Sequence, residues 1–365
     1  MKRLMIRAFP VAAVAAGVAI VFALRAERAD SHVTVVVTPS VEAHVEHAEQ
    51  VEHTEHAEQH QQHQQTHSFS CSDDENMETR LAALNALITW DADKAMPILK
   101  PVLQDRDACS VELRRKAVFL VSQHETDETI PLLHEAAVDD PDAEVREQAV
   151  FWIGQTSRPE AVDALESILN GTDDVELQEK VIFSLSQHGS RRANAILHDY
   201  AGDRNGVEDV REQAIFWLGQ EGNREDVEFL MDLFDDLQSS ELKEKVIFSV
   251  SQASHPDGGA WLMSVAQDEN QSVEFRKNAL FWAGEEGNVD ASELRDLYDG
   301  ADHSELKEHV IFVLSQIDGS ERAAELLIEI AKSESNSELR DRALFWLGES
   351  DSPKAAAFLR ELINR

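Results

Sequence analysis

VREQAIFWLGQ, residues 210–220, decides the fold, because the same phrase returns along the chain in two alternating versions. Close copies of this version end at Gln155, Glu285 and Glu349. The second version reads LKEKVIFSVSQ at residues 242–252, with copies ending at Gln123, Gln187 and Gln316. The phenylalanine common to both falls at Phe119, Phe151, Phe183, Phe216, Phe248, Phe281, Phe312 and Phe345, in steps of 31 to 33 residues. A fixed period of about 32 residues marks a stack of repeats, each burying its apolar side against its neighbours. Because the versions alternate, the full period is about 64–65 residues, two repeats of that length.

Each repeat reads as two helices. The diagnostic phrase is the first, and Asp142, Asp174, Ser240, Ser304 and Ser337 stand where N-caps are expected to accept a free amide. Gly154, Gly219, Gly284 and Gly348 stand near its end, the position of a left-handed C-cap. The second helix is apolar at helical spacing, as in Val227, Leu230, Met231 and Phe234, and Pro159 and Pro353 suit helix starts. With a divergent first unit near Glu78 to Leu103, the count is nine.

Two positions distinguish the versions. Trp152, Trp217, Trp282 and Trp346 recur in every second unit, where the others carry Leu120, Ser184, Ser249 and Val313. Three residues earlier, Ala149, Ala214, Ala279 and Ala343 accompany tryptophan, whereas Val181, Val246 and Val310 accompany the smaller residues, so these tryptophans read as core. On a helical wheel with Phe216 at zero, Val210, Ala214, Trp217 and Leu218 lie at about 100–200°. Phe216 points away from that arc, among Asp209, Glu212, Gln213 and Gln220. Repeated eight times, this geometry predicts a ladder of exposed phenylalanines on one helix layer, rimmed by carboxylates and amides. Such an apolar stripe marks an interaction site.

The match Asp142, Val145, Arg146, Ala149, Ile153-Gly154, repeated at Val210, Arg211, Ala214, Leu218-Gly219, resembles the HEAT-repeat family in its bacterial phycobilisome-lyase-like form. The resemblance covers residues 75–365. It implies an all-α, right-handed α-solenoid of about nine two-helix units. The family it points to includes scaffolds, pigment lyases, metal-dependent hydroxylases and DNA-repair proteins. Its hydroxylases carry His-Glu pairs on several symmetry-related helices. Here only His124-Glu125 and His134-Glu135 have that form, and the copies one double repeat later read His188-Gly189 and His198-Asp199. No phosphate-binding glycine loop, CxxC, HExxH or GxSxG is present.

Outside the repeats, residues 1–29 combine Lys2, Arg3 and Arg7 with an uncharged run from Ala8 to Leu24, either a cleaved signal peptide or a retained membrane anchor. Both place the repeats outside the cytoplasm, with the membrane touched only through this segment. Residues 30–74 form a linker biased to His, Glu and Gln, with the composition of a disordered spacer. Within it, His53 and His56, and His60 and His63, are spaced to share a helix face and are candidate metal ligands. Cys71 and Cys109 are the two cysteines, and an exported compartment permits a disulfide between them. The formal charge of −37 argues against nucleic acid and for a partner with basic and apolar groups.

The expected function is therefore a non-enzymatic extracytoplasmic scaffold without a cofactor. It binds a protein or peptide along the concave ladder Phe119, Phe151, Phe183, Phe216, Phe248, Phe281, Phe312 and Phe345, with Gln187, Gln220 and Gln252 beside it. The alternative is a HEAT-type enzyme, pigment-lyase-like or hydroxylase-like.

Overall fold

The computed structural model describes residues 74–253, 255–285, 289–317 and 321–364. The segment 1–29, the linker up to residue 73, His53, His56, His60, His63 and Cys71 lie outside them. Cys109 is disulfide-bonded. No helix among the described residues is long and apolar enough to cross a membrane.

The described residues form an α-solenoid of nine helix pairs without a strand. The pairs are α1 (Asp74–Asn85) with α2 (Ala92–Gln104), α3 (Val111–Ser122) with α4 (Thr129–Asp139), and α5 (Ala143–Gly154) with α6 (Pro159–Gly171). There follow α7 (Val175–His188) with α8 (Arg191–Gly202), α9 (Glu208–Glu221) with α10 (Arg224–Asp236), and α11 (Ser240–Gln252) with α12 (Gly258–Gln267). The last are α13 (Val273–Glu285) with α14 (Ala291–Gly300), α15 (Ser304–Gln316) with α16 (Glu321–Ser333), and α17 (Ser337–Glu349) with α18 (Pro353–Ile363). Odd-numbered helices, from α3 onward the repeat phrase itself, stack on one another as one layer; even-numbered helices form the other and lie farther apart.

The capping residues show how the phrase starts. Asp142 and Asp174 accept from the amides of Val145 and Leu177 at 3.1 and 3.3 Å. Ser240 and Ser337 are instead the first helical residues, and the caps are their predecessors, Ser239 and Asn336. The residue before Ser304 is His303, which makes no capping bond. A run of polar residues offers two registers to a helix start, and spacing from the apolar positions does not separate them.

The glycines at the end of the phrase are not left-handed caps; positive φ occurs at Gly189 and Gly222. Gly154, Gly219 and Gly284 are helical, and their role is close approach between neighbouring first helices. A Cβ on Gly154 would lie 2.7 Å from that of Ser184, one on Gly219 2.5 Å from that of Ser249, and one on Gly284 2.8 Å from Val313 Cγ1. The alternation of versions is thus a glycine of one unit fitted against the small residue of the next. At Gly348 nothing lies within 4 Å. The same substitution should therefore have opposite signs at two equivalent positions. Gly219→Ala should destabilise by about 1–3 kcal/mol through overpacking against Ser249 backbone. Gly348→Ala should stabilise by up to about 1 kcal/mol through helix propensity. Urea denaturation of both variants checks this; equal shifts would remove the packing role.

The arginine of the phrase, in the units that carry it, closes the unit. Late carbonyls of a helix lack intrahelical donors, and this side chain supplies one to the end of the preceding second helix. Arg211 donates to Ala201 O at 3.2 Å, Arg276 to Ala266 O at 2.9 Å and Arg340 to Glu334 O at 3.1 Å. Where lysine replaces it, Lys243 and Lys307 lie over Phe234 and Tyr298 at 4.7 and 5.1 Å. The most buried case is Arg114. Its Nε and Nη2 donate to the Asp140 carboxylate at 2.8 and 3.1 Å, and its Nη1 donates to Asp105 O, Asp107 O and Ser110 Oγ. Both side chains are wholly shielded from solvent.

Candidate functional site

The core of the first-helix layer comes from Val210, Ala214, Ile215 and Leu218 and their counterparts, buried except for Phe275 and Leu344, which are half-buried and pack against it. The eight phenylalanines lie off this arc. Phe151 and Phe345 are exposed, at 36% and 56%, and the other six are half-buried. The tryptophans do not sit inside the core, as their alternation with alanine suggested. Trp152, Trp217, Trp282 and Trp346 are half-buried, packed on the core at one edge and reaching the surface at the other. The reason is angular: at about 100° from phenylalanine, tryptophan stands at the border of the apolar arc.

This placement joins the two aromatic positions into one feature. Trp217 lies between Phe183 of the preceding unit and Phe216 of its own, with centroids 5.1 Å from each. Trp152 lies likewise between Phe119 and Phe151, Trp282 between Phe248 and Phe281, and Trp346 between Phe312 and Phe345. These separations suit edge-on and tilted ring pairs. The triads are linked in turn. Phe216 stacks on Phe248 at 6.4 Å, and His309 bridges Phe281 and Phe312 at 6.4 and 5.8 Å. An unbroken run of ring contacts therefore extends from Phe183 to Phe345. All eight phenylalanines were legible in the sequence as one row; the tryptophans and His309 belonging to it were not.

The polar groups beside the rings come from the turns before and after them on the same helices. Lys245 Nζ lies 5.7 and 6.0 Å from the Phe216 and Phe248 rings and 2.6 Å from Glu212. Lys116 covers Phe119 at 4.9 Å. Gln220 and Gln252 are exposed and Gln187 is half-buried. In the second version of the phrase the glutamine has a local duty: Gln187 and Gln252 donate to Ser186 and Ser251, whose hydroxyls donate to the carbonyls of Phe183 and Phe248. Gln220 has no such serine before it, since Gly219 is there.

His309 takes the place of lysine in this row, and its Nε2 is buried without a partner. Burial, followed by the positive charge of Lys277, pushes its pKa below the ordinary histidine value, while Glu274 and Glu308 pull the other way. The folded state thus holds fewer protons than the unfolded chain once pH falls through about 6.5, so stability drops there until the lowered folded pKa is passed. Between about pH 7.5 and 5, wild type is expected to lose more stability than His309→Gln. Parallel denaturation curves at the two pH values check it, and equal losses would contradict it.

The His-Glu pairs suggested by the hydroxylase alternative do not converge. His124 is buried with Nε2 unpartnered, Glu125 is exposed, His134 faces Ser167 at 3.3 Å, and Glu135 pairs with Gln104 and Arg106. No group of three or more His, Cys, Asp or Glu able to hold a metal occurs among the described residues.

Residues 106–178 match the family model described as HEAT repeats. The chain carries HEAT repeats. The match spans α3 to α6 and enters α7, and the same phrase continues through the later units of this HEAT solenoid. No curated protein matches the chain in sequence. Among solved structures, human deoxyhypusine hydroxylase in complex with glycerol is 16% identical over 75% of this chain and 97% of that one, with a TM-score of 0.30. The CpcE–CpcF complex of phycocyanin lyase from a Nostoc species is 17% identical over 66% and 93%, with a TM-score of 0.31. A computationally designed cyclic homo-oligomer is 15% identical over 79% and 99%, with a TM-score of 0.13. Likenesses this distant say nothing about what the HEAT protein does.

Proposed function

We propose that this HEAT-repeat protein is a non-enzymatic scaffold acting outside the cytoplasm, and that it holds a protein or peptide partner along the aromatic ladder of its first-helix layer. The observation that carries the reading is the run of ring contacts from Phe183 to Phe345 on the surface of that layer. Rings in contact with each other, partly open to water and flanked by charge, have the composition of an interface centre with a polar rim. The partner is a chain with apolar groups for the rings and basic groups for the surrounding carboxylates, in keeping with the net charge of −37. Two lysines of this face are matched internally, Lys245 by Glu212 and Lys180 by Glu147, so excess acid remains to meet a partner.

The test is capture of partners from native cells with the full-length protein, comparing wild type with Phe216→Ala/Phe248→Ala. The proposal expects specific partners to be lost with the double variant while its helical content is kept. Equal recovery from both proteins would refute it. A catalytic role would show instead as a stoichiometric metal or a bound chromophore in the purified, tag-free protein.

A further inference from the structure

Among the described residues, no ring contact joins Phe151 to Phe183, and at that place the ladder opens into a cleft of ≈ 460 Å³. Phe151, Phe183 and Trp217 wall it, with Glu147, Glu179 and Gln213 around them. A volume of this order lies within the range of about 300–1,000 Å³ in which proteins take up small ligand groups.

The next double repeat shows what fits between two phenylalanines of adjacent units. There Lys245 lays its ammonium across Phe216 and Phe248 and anchors it on Glu212. The counterpart of Lys245 at the cleft is Lys180, which is exposed and pairs with Glu147 at 3.3 Å. No cation lies over Phe151 or Phe183 among the described residues, so the two rings offer their faces while a second carboxylate stands beside them. That carboxylate, Glu179, is half-buried and has no hydrogen-bond or salt-bridge partner among the described residues. Its pKa is raised, first by burial and then by the negative charges of Asp209, Glu176 and Glu212, with Lys180 opposing. A half-buried acid among other acids, next to open aromatic faces, is a place that a desolvated cation would stabilise.

We infer that this cleft is the socket for a basic side chain of the bound peptide, its cation over Phe151 and Phe183 and its N–H groups donated to Glu179. The inference rests on reading the ladder as the binding face and names the group that face selects. The peptide runs across α5 and α7, with apolar residues on the triads to either side.

The test uses the full-length protein and fluorescein-labelled peptides of alternating leucine and arginine, followed by fluorescence anisotropy. A second peptide carries citrulline, neutral and of nearly the same shape, in place of arginine. Wild type is expected to bind the arginine peptide about tenfold or more tightly than the citrulline peptide, the worth of one charge-assisted hydrogen bond. Glu179→Gln should remove that preference, whereas Glu308→Gln, whose carboxylate pairs with Arg342 at 2.8 Å elsewhere on the face, should keep it. Glu179→Gln removes an acid that burial disfavours, so it should fold at least as well as wild type, and circular dichroism verifies this. An undiminished preference in Glu179→Gln, equal binding of the two peptides, or no binding of either by wild type would overturn the socket. If both peptides bind equally and both are lost in Phe216→Ala/Phe248→Ala, the socket fails while the binding face stands.

Discussion

Replacing Arg114 by alanine is expected to lower the unfolding free energy by about 3–5 kcal/mol, the cost of leaving a buried carboxylate without its partner. The guanidinium meets both oxygens of Asp140 and also two carbonyls and a hydroxyl between α2 and α3. Arg106 reaches the same carboxylate at 2.6 Å from a partly exposed position, so it compensates only in part. Arg114→Lys should recover little, because an ammonium cannot span the carboxylate and the carbonyls together. The double variant Arg114→Met/Asp140→Leu should be milder than Arg114→Ala, since it removes both charges at once. Chemical denaturation of the three variants checks the set. A change within about 0.5 kcal/mol for Arg114→Ala, the size expected of a surface site, would mean the pair is not part of what holds the N-terminal units together.

Trp217→Ala should cost about 3 kcal/mol, because it removes a large ring from the edge of the core and two ring pairs with it. Phe183 and Phe216 both rest on that indole. Phe345→Ala should cost under about 0.5 kcal/mol, since this residue is more than half exposed at the end of the row and touches Trp346 alone among the aromatic rings of the described residues. Phe216→Ala falls between them: its ring is held by Trp217 and Phe248 but is not packed on the core. Thermal melts rank the three. If Phe216→Ala melts as low as Trp217→Ala, the phenylalanines are structural and the binding face is lost with them.

Much of this architecture is legible in the primary structure because a repeat states the same thing many times. The period, the two helices per unit, the buried arc and the outward turn of phenylalanine all follow from spacing. What spacing does not convey is lateral contact. Whether Gly219 is a cap or a contact depends on Ser249, thirty residues away, and only the approach of α9 to α11 decides it. Trp217 reads as core because its neighbours along the helix are core, yet its ring leans over Phe183 of the unit before. The Arg114–Asp140 pair was invisible for the same reason: either residue alone is an ordinary charged position in an acidic chain. His309 carries no motif at all; its signal is departure from the lysine found at Lys116, Lys180 and Lys245.

The central claim is that partners touch the first-helix layer along its rings. The most direct measurement is site-specific photocrosslinking in native cells, with p-benzoylphenylalanine placed at Phe216, at Phe248 and, as a control of like size on the other layer, at Phe229. The account predicts discrete adducts from positions 216 and 248 and none from position 229. Adducts from position 229 with none from the ladder would place the binding face on the second-helix layer and contradict it.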